Sequence, residues 1–117
     1  MEAGYVLSSP RGRITIAPAA IARIVAQTAA ESYGVVGMSA RNRVGKLLTR
    51  GRETQGIVIG GDGRGVSIDL YVVVEHGLRL AEVAASVRSR VAYEVERLTG
   101  LPVAAVEVHI EDVRKSA

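Results

Sequence analysis

At 117 residues the chain is long enough for one domain with a sizeable core, and 48% hydrophobic against 23% charged residues marks a folded protein, not a disordered one. With no Phe or Trp and four Tyr the core must be aliphatic, and the absence of Cys excludes disulfides, thiolate metal sites and cysteine nucleophiles. Net charge is +3, but Arg41, Arg43, Lys46, Arg50 and Arg52 together exceed it, so the basic excess belongs to one short segment.

Residues 1–11 read as a flexible N-terminal segment without an apolar h-region, and residues 114–117 as a tail, leaving 12–113 as a single domain. Arg13 to Ile16 alternate as a short strand. Pro18 follows at a first helical position, where its missing N–H costs nothing. Behind it Ile21, Ile24, Val25, Thr28, Ala29 and Ser32 fall at helical spacing, and Gly34 suits the residue after the helix end. "VVGMSA" is a short strand. In the basic segment Val44, Leu47 and Leu48 sit at i, i+3, i+4, which predicts a two-turn amphipathic helix ending at Gly51.

"GIVIGGDGRGVSIDLYVVVE" is a β-hairpin around a Gly-Gly-Asp-Gly turn. In its second strand Val66, Ile68, Leu70, Val72 and Val74 line one face; Ser67, Asp69, Tyr71, Val73 and Glu75 line the other. A long helix runs from Arg79 to Thr99 with Leu80, Val83, Ala84, Val87, Val91, Val95 and Leu98 as its buried stripe, stopped by Gly100 and Pro102. The last strand turns Val106, Val108 and Ile110 inward and Glu107, His109 and Glu111 outward. The order β-α-β-(short α)-β-β-α-β predicts an α+β two-layer sandwich. Two main helices would pack on one face of a mixed or antiparallel sheet, with the other face open.

Chemistry is sparse along this frame. Asp69, Glu75, Glu107 and His109 share the outer face, the ingredients of a metal or acid–base site. Their spacing follows no HxxxH or paired-carboxylate motif, and solvated residues alternating on an open face account for them more simply. "GGDGRG" joins two strands with no helix start behind it, so it lacks the amides and dipole of a phosphate cradle. The serines have no GxSxG context. The expectation is a non-enzyme with no catalytic, cofactor-binding or metal residues.

Nucleic acid is the competing partner, because the basic segment is an electrostatic footprint of the right sign. Neither GxxG string, "GVVG" nor "GGDG", lies between two helices as the KH loop does. The sheet also lacks the aromatic pairs that stack on bases. No run approaches the roughly 18 apolar residues of a membrane span, so membrane contact is expected only peripherally or through a partner.

Two stretches carry a family resemblance. "GRITIAPAAIARIVAQTAAESYGVVGM" resembles the opening of the alkaline shock protein family of bacterial envelope-stress proteins, with its G-x-I-x-I-A/S-P start and GV-x-GM turn. "GVSIDLYVVVEHGLRLAEVAASVRSRVAYEVERLTGLPVAAVEVHIEDV" resembles its second half, except that His76 stands where Tyr or Phe is common. "RVGKLLTRGRETQGIVI" is similar to the basic, Leu-bearing connector of that family. The resemblance implies a non-enzymatic, cytoplasmic protein of alkaline or envelope stress. Some members self-associate beneath the membrane through a membrane-anchored partner; others are linked to regulation of lipid metabolism. No catalytic or cofactor residues are defined in the family, so none is carried over. The expected functional surface is therefore the outer sheet face (Asp69, Tyr71, Val73, Glu75, Glu107, His109), helped by the basic patch Arg41, Arg43, Lys46, Arg50 and Arg52. Its expected partners are proteins, among them a membrane-anchored family member and further copies of the chain.

Overall fold

A computed structural model of the chain describes residues 4–39, 55–62 and 64–115. The helix expected around Val44, Leu47 and Leu48, and the whole basic patch, lie outside the described residues.

The architecture is built on one strand, β5 (Gly65–Glu75). Its alternation of β-branched and polar residues suits a pleated strand with one dry face. Val66, Ile68, Leu70, Val72 and Val74 are each no more than 1% exposed. On one edge β5 pairs in parallel with β6 (Val103–Arg114). On the other edge two short strands lie end to end, both antiparallel to β5. β4 (Ile57–Asp62) runs beside residues 65–70, and β3 (Val35–Met38) beside residues 72–74. The four-stranded sheet is thus mixed.

Tyr71 marks the junction of β3 and β4. Its carbonyl accepts the Ser39 N–H at 2.7 Å, and its own N–H donates to the Gly56 carbonyl at 2.8 Å. The chain therefore leaves the sheet at Ser39 and re-enters it at Gly56 at the same point on β5.

Both helices cover the dry face. α1 (Pro18–Ala30) starts with Pro18 directly after the Ala17 N-cap. It buries Ile21, Ala22, Val25, Thr28 and Ala29. Its buried hydroxyls are satisfied locally: Thr28 Oγ1 donates to the Ile24 carbonyl and Ser32 Oγ to the Thr28 carbonyl, each at 2.8 Å. α2 (Leu80–Thr99) buries Val83, Val87, Val91 and Val95, one residue every turn, and ends on Gly100 in the left-handed region at φ 78°. The side chain of Arg90 donates across to the Glu31 carbonyl at 3.1 Å, tying α2 to the end of α1.

Leu80 and Leu98 differ from expectation, at 40% and 54% exposed. They face the same way as the valines but lie in the terminal turns. The 13 residues of α1 span about 20 Å and the 20 of α2 about 30 Å, so α2 extends past α1.

The N-terminus also departs from expectation. Tyr5–Ser9 do not form a flexible segment but a strand, β1, antiparallel to β2 (Gly12–Ile16) in a separate two-stranded sheet. The turn carries Ser9, Pro10, Arg11 and Gly12, and Ser9 Oγ accepts the Arg11 N–H at 3.3 Å. Tyr5, Leu7 and Ile16 pack against the core, and the Tyr5 hydroxyl donates to the Gly60 carbonyl at 2.7 Å. That contact fastens β1 to β4. Tyr5→Phe is expected to lower unfolding stability by about 1 kcal/mol, as a urea midpoint would show. β6 likewise continues to Arg114, one residue into the expected tail.

Candidate functional site on the open sheet face

Because side chains alternate along β5 and β6, the residues opposite the helices form the second face of the sheet. The parallel register places Asp69 beside Glu107 and Tyr71 beside His109. Neighbours in register share a face, so four of the expected site residues meet in one patch.

The patch has definite internal geometry. The rings of Tyr71 and His109 stack with centroids 4.4 Å apart and planes 8° from parallel. His109 Nε2 lies 3.0 Å from Asp69 Oδ1 and 3.8 Å from Glu107 Oε1. The side chains of His109 and Asp69 are about one-third exposed and that of Glu107 is mostly exposed. Partial burial first, and then the carboxylates of Asp69, Glu111 and Glu107, push the Tyr71 phenol above its ordinary value of 10.0. The folded chain therefore holds that proton more firmly than the unfolded chain. The associated stability is complete below pH 10 and is lost as pH rises through the raised value.

Glu75 and Val73 stand apart from the patch. A register shift between Val72 and Val73 pairs Val72 with Ile110 but Val73 with Asp112, leaving Glu111 as the extra residue. Beyond that bulge Glu75 is in register with Arg114, away from His109. Val73 was expected on the exposed face, yet it is only 2% exposed. β5 is paired on both edges here, and a Val side chain is short beside Tyr71 and Glu75, two residues away on either side. It belongs to the packed interior of the sheet rather than to an accessible surface.

One feature had no signal in the sequence. An open groove of about 440 Å³ runs between α2 and β6, lined by Ala81, Ala84, Ala85, Arg88 and the Val106–His109 stretch. It depends on small residues of α2 lying over a particular strand, a juxtaposition that helical periodicity does not encode. Among the described residues, no helix is long and apolar enough to cross a membrane.

The fold and patch define a two-layer α+β domain whose open sheet face gathers an aromatic pair and carboxylates. The chain belongs to the alkaline shock protein 23 family, described as having a cell envelope-related function, whose profile matches residues 7–115. That match takes in most of β1, in keeping with its place in the fold. The chain is 30% identical over 112 residues to the uncharacterized protein YloU of Bacillus subtilis, covering 92% of this chain and 93% of that one. It is 28% identical over 112 residues to the uncharacterized protein Spy1614 of Streptococcus pyogenes, with the same coverage of 92% and 93%. Against the uncharacterized protein YqhY of Bacillus subtilis, identity is 30% over 105 residues, covering 88% of this chain and 78% of that one. No solved structure matches the chain.

Proposed function

We propose that this chain is a non-enzymatic adaptor of the bacterial cell envelope, acting through protein–protein contact and self-association near the membrane. The observation that carries this reading is the Tyr71–His109 stack on the open sheet face. A rigid, partly exposed aromatic pair costs little side-chain entropy to bury, and it is ringed here by Asp69 and Glu107, which can set a partner's orientation. The family's cell envelope-related function gives the setting, and a membrane-anchored partner would supply the attachment.

Nucleic acid is the weaker reading. The basic residues 41–52 favour it, but the open face carries Asp69, Glu75 and Glu107, which repel phosphate.

The test is a charge change within the patch, Tyr71→Lys. The folded variant is expected to lose self-association in sedimentation and partner capture by crosslinking in the native bacterium. Association equal to the parent chain's, with the fold intact, would overturn this placement. Tight, steeply salt-dependent binding to single-stranded nucleic acid would favour the other reading.

A further inference from the structure

Among the described residues, Asp69, Glu107 and His109 bring one imidazole nitrogen and two carboxylate oxygens to within 4.8 Å of one another. We propose that these three side chains bind a divalent transition-metal ion of the zinc class.

Charge is the first argument. One imidazole nitrogen makes one strong hydrogen bond, and Nε2 of His109 makes it with Asp69 Oδ1 at 3.0 Å, leaving Glu107 Oε1 close by at 3.8 Å without a hydrogen bond from that nitrogen. Arg79, Arg90 and Arg97 form their ion pairs with Glu82, Glu31 and Glu94, away from this cluster. A divalent cation placed among the three donors would be attracted by both carboxylates.

Geometry is the second. Ligand atoms about 2.1 Å from a shared zinc ion stand at most about 4.2 Å apart, and about 3.4 Å apart in a tetrahedron. The separations from Nε2 are 3.0 and 3.8 Å, and all three donor atoms lie within 4.8 Å of one another, a bound slightly wider than a shared ion allows. The remaining adjustment falls on Glu107, whose side chain is 69% exposed and free to rotate.

Support of the ligands is the third. Asp69 and Glu107 are direct neighbours across a parallel pair of strands, and His109 follows two residues along the same face. The Tyr71 ring lies flat against the imidazole and limits its rotation. Ligands carried on strands and steadied from behind need little reordering when an ion enters.

The donor set selects the metal. One nitrogen with two oxygens and no sulfur suits zinc and its first-row neighbours, whereas calcium and magnesium prefer all-oxygen shells. Three protein ligands also leave a coordination position for water or for a donor from elsewhere. The proposal stands whether or not this face also binds protein, since it is read in the isolated chain.

The experiment uses the untagged full chain, stripped with a chelator and titrated with Zn²⁺ by calorimetry and with Co²⁺ by visible absorption. One ion per chain is expected, with affinity at least about 100-fold weaker in His109→Ala and in Asp69→Asn. His76→Ala is expected to bind as the parent does. Glu107→Gln, at the most exposed ligand, is expected to weaken binding without disturbing the fold, and so gives a reading even if the other variants misfold. No saturable binding up to millimolar metal would overturn the proposal. So would binding unchanged by Glu107→Gln and His109→Ala, or binding lost with His76→Ala.

Discussion

Val73→Asp is expected to destabilise the domain by about 3 kcal/mol. Val73 is 2% exposed on the middle strand of the sheet, and a carboxylate on so short a side chain has neither water nor a partner there. Tyr71→Lys, two residues away on the same face, is expected to shift stability by no more than about 1 kcal/mol, because the longer side chain already reaches solvent. Urea denaturation of the two variants side by side is the measurement. A Val73→Asp midpoint close to the parent's would show that this position is open to water. The contrast also governs any mapping of the face: loss of association in a Val73 variant reports unfolding, whereas loss in a Tyr71 variant reports the surface.

The second large effect is expected at Gly56. Its φ of 80° lies in the left-handed region, which costs a residue with a Cβ about 1–2 kcal/mol. A Cβ there would also sit 2.8 Å from the Ser39 carbonyl oxygen and 2.9 Å from that of Tyr71. Both are backbone atoms held by the pairing around Tyr71, so neither can retreat without loosening the place where the chain leaves and re-enters the sheet. Gly56→Ala should therefore cost roughly 2–4 kcal/mol and speed hydrogen exchange at the Ser39 and Tyr71 amides. Gly77 is the control, with φ 97° but nothing within 4 Å of an added Cβ. Gly77→Ala should cost only the conformational part, about 1–2 kcal/mol. Equal losses at the two glycines would mean that the close approach at Gly56 is relieved without cost.

Most of the fold was legible where the signal is local. The period-two run from Val66 to Val74 and the four-residue spacing of Val83, Val87, Val91 and Val95 name their own elements and dry faces. Pro18 and Gly100 mark helix boundaries for reasons contained in their own backbones. β1 was missed although its signal was present: "YVLSS" and "GRITI" flank the turn residues Pro10 and Arg11. An N-terminal position is no argument against a hairpin when Tyr5 and Leu7 have a core to reach.

By itself, then, the sequence determined β2 to β6 and the two described helices, the inner face of the sheet, the aliphatic core and the family. All of these depend on residue type and on spacing within one element. Only the tertiary structure decided that Asp69 meets His109 forty residues later, at 3.0 Å. It alone decided that β3 and β4 meet end to end at Tyr71, and that Val73 is sealed while Tyr71 is not. The reason is register. A slip of one residue between β5 and β6 would part the imidazole from Asp69 while leaving each strand's own alternation unchanged. That register is held by the α2 crossover and the bulge at Glu111, contacts between residues far apart in the chain, which no pattern within a single strand records.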